Sequence, residues 1–534
     1  NGMRGVTYGP SAVPGRRHHS IPRAMSDDMI AELVTSVGDA ARRYAQAGFD
    51  GVELLASHGL LFAQFLSPAI NLREAPYGGS FGNRIRFLLD SLHASRRSMT
   101  PGMVLGLRIS ADEFEQDGTE QDEILAVVRQ LTDLGAIDYL NVTVGSMAGL
   151  GGSIHVVPPM EIGTSYVAPF SERLRRASGL PVLVAGRINQ PQEAEKILAH
   201  GQADLCGMTR AMITDPDMAE KTRNGRADDI RACIGCNQAC IGHLHKGVAI
   251  SCIQTPLSGR EAQLTPKLKR GRGPRQRVLV AGGGPAGLRA AITAARRGHE
   301  VTLAESAPQL GGQVRLAQML PERSEFGGLV VNMQAELALE NVDVQLGQPL
   351  TRATIEAAEP DVVILATGAR PALPKIENAG SKTPILAEEV IAGRARPGGR
   401  RADWMGIGTA VLLAQSGHSV RLAVDGLCAG QNLPTYVRDY WAGRLHALGV
   451  TVTPYASLFG MDDDTAFFTH AVSGEAQMFE AMDDLVFAGP YHPVTDLEQV
   501  VEGLGLRLLL AGDCLSPRTA EEAIFEGFNA GLDV

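Results

Sequence analysis

Arg277–Glu305 reads RVLVAGGGPAGLRAAITAARRGHEVTLAE, an apolar run, a glycine turn, a helical stretch and a second apolar run ending on an acid. Gly282 permits the tight turn, Gly284 lets a pyrophosphate approach the helix N-terminus, and Gly287 allows the helix to pack against its strand. Glu305, eighteen positions past the last of these glycines, is placed for ribose hydroxyls. A lone glycine triplet constrains little. Inside a whole strand–helix–strand unit it predicts a parallel sheet with an adenine dinucleotide or ADP at its edge, against the plainer alternative of a glycine-rich turn with no ligand.

The N-terminal half has the same grammar without the fingerprint. From Met25 to about Pro216 amphipathic helices alternate with apolar runs at Gly51–Leu55, Val104–Ile109, Ile137–Val142, Pro181–Ala185 and Ala203–Cys206. Helix signals include Ser26-Asp27-Asp28 as a cap before Met29–Ala47, and Thr119–Leu134 after an acidic loop. Runs apolar on both faces suit strands of a covered parallel sheet. His58, Arg108, Gly186, Arg187, Gly207 and Arg210 come at or just after these runs, the end where a (β/α)8 barrel builds its site. Five strands are visible where a closed barrel needs eight, so the barrel is expected to be incomplete, with about three strand–helix units missing before Asn1. A doubly wound sheet is the alternative.

With 534 residues the chain exceeds the roughly 250–300 residues one core supports. The expected organisation is a partial barrel over 1–230, a cysteine segment and linker over 231–276, a dinucleotide domain over 277–390 and 485–534, and an inserted degenerate domain over 391–484. A net charge of -10 argues against a nucleic-acid partner. Every apolar run falls short of the roughly 20 residues of a membrane span. Asn1–Ala24 is polar, with no signal peptide visible, and seven cysteines are too few for a disulfide framework, so a cytoplasmic, reducing location is expected.

Four of those cysteines cluster. Cys233, Cys236, Cys240 and Cys252 are spaced C-x2-C-x3-C-x11-C. Structural zinc usually comes as two paired knuckles, whereas a triplet plus one distant thiolate better suits a 4Fe-4S cube. Zinc and unligated buried thiols are the lesser alternatives. His243 and His245 inside the loop read as solvated or packing residues. A second glycine pair, Gly406 and Gly408, precedes a helix and the run Val420–Ala423, but Gly398–Asp403 before it is polar and short, so a degenerate half-site is expected there rather than a working NAD(P)H site.

These motifs together resemble the iron–sulfur flavoprotein branch of the old yellow enzyme family, which includes amine dehydrogenases, N-methylproline demethylase-like proteins and dienoyl-CoA reductases. GVELLASHG, QFLSP and YGGSFGNRIRF between Gly51 and Phe87, LRIS at Leu107–Ser110, AGRI at Ala185–Ile188 and GMTR at Gly207–Arg210 carry the barrel part of the likeness. LGGQ ending at Gln313, ATG holding Thr367 and Gly368, and AGDC holding Asp513 carry the FAD or ADP part. The resemblance implies Arg108 beside the pyrimidine of FMN, with Gly186, Arg187, Gly207 and Arg210 at its phosphate; structural ion pairs are the plainer reading of those arginines. The pair of donors that ene-reductases place at the end of the fourth barrel strand falls here on Leu55 and His58, and the dienoyl-CoA reductase acid and tyrosine fall on His58 and Leu60, so both reductive constellations are broken.

Each missing oxyanion-type donor costs about 10²–10³ in rate, whereas amine oxidation mainly needs a deprotonated amine, a dry pocket and a flavin face. The leading expectation is an oxidative N-demethylase or amine dehydrogenase acting on a small N-methylated amine or betaine, with His58 as base or charge tuner, or else merely hydrogen-bonded at a strand end, and His155 as a second pocket residue. Electrons would pass from FMN through the cluster to an electron-transfer flavoprotein, and a homo-oligomer is expected. The alternatives are a reductase driven by NAD(P)H and a non-catalytic electron-transfer fragment.

Overall fold

The computed structural model describes residues 5–17, 19–269, 274–373, 375–393 and 404–534. They form two compact units, Asn1–Thr209 and Arg210–Val534. The 210–230 stretch groups with the second unit.

In the first unit, strands β1 (Gly51–Ala56), β2 (Val104–Ser110), β3 (Tyr139–Thr143), β4 (Val182–Ala185) and β5 (Leu205–Gly207) pair in parallel in sequential order. Helices α1 (Asp27–Gln46), α2 (Arg86–Ser98), α3 (Gln121–Asp133), α4 (Ala168–Ser178) and α5 (Pro191–Ala199) alternate with them. Sequential parallel order is the wall of a (β/α) barrel, and five of its eight strands stand among the described residues. Ser26 caps α1 by accepting from the Met29 N–H. One side-chain row, Leu105, Leu107 and Ile109 of β2 with Leu140 and Val142 of β3, is wholly buried in the core. The other row is not uniformly apolar, contrary to the expectation of strands apolar on both faces. Register puts Glu53, Gly106 and Tyr139 side by side, then Leu55, Arg108 and Asn141.

Two strands begin later than their apolar runs, at Tyr139 rather than Ile137 and at Leu205 rather than Ala203. The cause is the same in both. Asp138 accepts the Leu105 N–H at 2.6 Å and Asp204 accepts the Val182 N–H at 2.9 Å. Each carboxylate takes the place of a ladder carbonyl, so the residues before it pack without pairing.

The second unit is centred on a parallel sheet of β6 (Arg277–Ala281), β7 (Glu300–Glu305), β8 (Asp343–Leu346), β9 (Val362–Leu365) and β10 (Arg507–Leu510), in the order β8-β7-β6-β9-β10. That order reverses direction between β6 and β9, the crevice where doubly wound sheets bind ligands. Around it lie α6 (Pro285–Arg296), α7 (Phe326–Leu339), α8 (Trp404–Gln415) and α9 (Ala520–Asp533). Between β9 and β10, α8 packs with Trp441 and Val437 in a separate core cluster. A four-stranded sheet of Glu377–Asn378, Ala456–Met461, Ala466–His470 and Ala476–Phe479 lies in the same stretch. No helix is long and apolar enough to cross a membrane among the described residues.

Candidate functional site

Three constellations hold the residues singled out in the sequence. The first lies at the C-terminal ends of β1–β3. Ser110, the last residue of β2, accepts the His58 N–H at 2.9 Å and donates to the Gly145 carbonyl at 2.9 Å, tying the loops after β1 and β3 together. His58 is held at φ 56°, its ring Nδ1 is buried with no hydrogen-bond partner among the described residues, and the backbone at Gly145 and Val144 favours its charged form. Burial and then the Arg108 charge push its pKa down to about 4. Buried this deeply beside a guanidinium, its cation is disfavoured, and the neutral imidazole that results at pH 7 is the form a base requires.

Arg108 is half-buried, and its Nε is buried with no hydrogen-bond partner among the described residues. An orphaned guanidinium N–H is costly. It fits an acceptor such as the pyrimidine edge of a flavin.

His155 stacks on Phe114 at 4.2 Å between centroids, and its Nδ1 lies 3.3 Å from the Tyr166 hydroxyl. Burial holds its pKa below the usual histidine value. Nothing in the sequence marked Phe114 or Tyr166 as its neighbours, because the three come from different loops. Gly186 follows β4 at φ 156°, where a Cβ would meet Val167 at 2.3 Å. Arg187 is 3% exposed and donates to the Ile162 carbonyl at 2.9 Å and the Met160 carbonyl at 3.4 Å, so its guanidinium ties down the loop that precedes α4. Gly207 closes β5. Arg210 belongs to the second unit, where it donates to Asn237 Oδ1 at 2.8 Å.

The second constellation is the cysteine loop. Cys233, Cys236, Cys240 and Cys252 line one pocket together with Arg210 and Thr214. Burial and neighbouring thiols push Cys236 well up, and burial pushes Cys240 to about 11 against the opposing pull of Arg210. Such a set gives up its protons on taking a metal centre. Thiolates on one tetrahedral zinc sit about 3.8 Å apart, from a Zn–S bond of about 2.3 Å. Among the described residues no group of three or more His, Cys, Asp or Glu is arranged to hold a single ion. Four soft donors lining one pocket are the donor type that zinc and iron–sulfur centres both take. His243 bonds the Ala249 carbonyl at 2.8 Å and Glu521 at 2.6 Å, and His245 packs edge-on against Tyr436.

The third lies at the switch point of the second sheet. Gly282 has φ 107°, and a Cβ there would meet the Ala366 carbonyl at 2.3 Å. Gly284 faces open space, and a Cβ at Gly287 would stand 1.9 Å from the Gly282 carbonyl. Glu305 accepts the Gly283 N–H at 2.6 Å, so it braces the glycine turn as well as edging the site. Gln313 donates to Asp513 at 3.0 Å, and Thr367 donates to the Val494 carbonyl at 2.7 Å beside Gly368. The turn is shaped to receive a pyrophosphate. Gly287→Ala is expected to destabilise the second unit by about 3 kcal/mol through overpacking against backbone and to purify without adenine dinucleotide, read by urea denaturation and by nucleotide released on heating.

The other glycine pair differs. Gly406 and Gly408 lie buried inside α8, and a Cβ at Gly408 would meet Leu320 at 2.7 Å. The Arg323 guanidinium lies 3.7 Å above the Trp404 ring at the head of that helix. These glycines serve close packing. The run Gly398–Asp403 lies outside the described residues.

Residues 7–229 match the NADH:flavin oxidoreductase / NADH oxidase family and residues 276–508 match the pyridine nucleotide-disulphide oxidoreductase family. A metal reductase of Desulforamulus reducens is 31% identical over 98% of this chain and 82% of its own length. The chain belongs to the NADH:flavin oxidoreductase / NADH oxidase family. As a family member it has an old yellow enzyme-type barrel region followed by a FAD/NAD domain, and the two matches imply FMN and FAD or NAD(P) binding. An N,N-dimethylglycine/sarcosine dehydrogenase of Chromohalobacter salexigens is 35% identical over 81% of this chain, which spans 65% of that relative's length. The structure of a 2-naphthoyl-CoA reductase superposes with a TM-score of 0.90 at 26% identity, covering 99% of this chain and 80% of that one.

The pH dependence of this family member's stability follows from His58. Unfolded, the ring binds a proton near its ordinary 6.5; folded, only near 4. Unfolding takes up a proton between those values, so stability falls as pH drops from above 7 to about 4, by about 3 kcal/mol. His58→Gln is expected to flatten that slope in urea titrations at pH 7, 5.5 and 4.

Proposed function

We propose that the protein oxidises a small N-methylated amine, removing the methyl group, and passes the electrons to an external acceptor, an electron-transfer flavoprotein. The observation that carries this reading is the state of the site at β1 and β2. One neutral histidine faces Arg108, and Leu55 stands where an ene-reductase would need its first carbonyl donor. A site with one donor polarises an enone poorly, while a buried, neutral imidazole suits an amine that must react unprotonated.

Bound FMN would supply the hydride acceptor, and a 4Fe-4S cluster would supply one-electron transfer onward. The chain's own part is positioning. Arg108 would meet developing negative charge with its unpaired Nε–H, Ser110 fixes the backbone of His58, and Cys233, Cys236, Cys240 and Cys252 would hold the cluster. His155, stacked on Phe114, would wall the substrate pocket. Gly186 and Gly207 would offer backbone to the phosphate; Arg187, already engaged with the Ile162 carbonyl, would brace that loop. Where the nitrogen keeps its lone pair, as in a secondary or tertiary N-methylated amine, that pair forms the C=N bond as the N-methyl carbon loses a hydride, and water then gives the demethylated amine and formaldehyde; a quaternary betaine has no such pair and is not demethylated by this step.

A reductase driven by NAD(P)H is the second reading, favoured by likeness to the naphthoyl-CoA reductase. Against it stands α8, whose Gly408 packs on Leu320 and whose first residue, Trp404, carries Arg323 over its ring. Incubation with N,N-dimethylglycine or sarcosine and a one-electron dye should release one formaldehyde for every two dye molecules reduced. Dye reduction without formaldehyde would overturn the demethylase reading.

A further inference from the structure

The second unit contains a cavity of 390 Å³, distinct from the three constellations above, and within the size range of small-molecule sites. Its buried end is built on charge. Glu336 receives Arg231 at 3.0 Å, Arg289 at 2.9 Å and Arg296 at 2.9 Å. Burial would raise the Glu336 pKa, but the three guanidinium groups outweigh it and hold the carboxyl far below the usual range. Lys221 pairs with Asp215 at 2.6 Å, and Arg296 also meets Glu340 at 2.8 Å.

Four cations, Lys221, Arg231, Arg289 and Arg296, thus face three carboxylates, Asp215, Glu336 and Glu340. Arg231 also lies in the field of Cys252. Arg289 is 3% exposed, and its Nε is buried with no hydrogen-bond partner among the described residues. The exposed end has the opposite sign. Asp217, Asp228 and Glu261 line it, while Arg226 and Asp229 neutralise each other at 3.3 Å.

We propose that this cavity binds a small zwitterion of the amino-acid or betaine class, its carboxylate against Arg289 at the buried end and its ammonium toward the exposed carboxylates. The carboxylate supplies the acceptor that Arg289 Nε lacks. The ammonium end gains from the acidic rim, which would repel a simple dianion.

Hydrogen exchange on the cofactor-loaded protein, read by mass spectrometry, separates this site from the barrel. Glycine betaine is a permanent zwitterion, and acetate and choline carry its two halves. Glycine betaine is expected to slow exchange in α7 and in the 254–261 segment, acetate weakly and choline not at all. Arg296→Gln, which removes its pairs with Glu336 and Glu340 but keeps those of Arg231 and Arg289 with Glu336, and Asp228→Asn, at an exposed position of the rim, are expected to raise the betaine midpoint at least tenfold and fivefold respectively. Protection by choline equal to that by betaine, protection confined to the peptides of β1 and β2, or a midpoint unmoved by Arg296→Gln would each overturn the proposal. Protection limited to the barrel peptides would leave the proposed function standing, and cavity protection without formaldehyde release would do the reverse.

Discussion

Cys240→Ser is expected to abolish turnover with an external one-electron acceptor while leaving bleaching of the flavin by the amine unchanged. The reason is that the two constellations belong to different units. His58, Arg108 and Ser110 belong to strand ends of the first unit, whereas Cys240 lies in the loop pocket with Cys233, Cys236 and Cys252. Serine retains the volume but is a poor donor to iron, so the site loses a ligand without losing its packing. The measurement pairs iron and labile sulfide per chain with single-turnover and steady-state rates. A variant that lost both rates together would mean that the cysteine loop supports the fold of the flavin site rather than the exit of electrons.

Arg108→Met should slow flavin reduction by about 10²–10³, the cost of removing one donor aimed at developing charge. Methionine keeps the unbranched stem, and the register of Arg108 between Leu55 and Asn141 is a backbone property, so the strand should persist. The same change removes the charge that helps lower His58, and the pKa of His58 should rise from about 4 toward the ordinary histidine value. A pH profile of reductive bleaching, with imidazole titration followed by NMR, checks both effects. An unchanged rate with a raised His58 pKa would make Arg108 a structural cation only.

The parts of the molecule legible in the sequence were those where one local pattern has one physical solution. The glycine spacing at Gly282–Gly287 needs a close helix and an open phosphate approach, and the structure has both at Gly287 and Gly284. The five apolar runs gave five strands. Where the runs misled, at Ile137 and Ala203, an aspartate carboxylate replaced the first ladder bond, a tertiary choice that no periodicity contains. Gly406 and Gly408 show the converse. The same residue type that opens a turn for pyrophosphate also lets a helix pack closely, and only the surroundings, Leu320 and the Arg323–Trp404 stack, separate the two uses.

The buried charges were the least legible. Arg289 and Glu336 lie 47 positions apart, and Arg231 and Glu336 lie 105 apart; each taken singly reads as a solvated helix residue. The neutral state of His58 likewise depends on burial and on Arg108 across the β1–β2 ladder rather than on its sequence neighbours.

The direction of electron flow is tested most directly by anaerobic stopped-flow mixing of the oxidised protein with sarcosine or N,N-dimethylglycine in one syringe series and NADPH in another, following flavin absorbance. Rapid bleaching by an N-methylated amine, with none by NADPH on the same timescale, is the predicted result. Rapid bleaching by NADPH and by no amine would contradict it and make the protein a reductase.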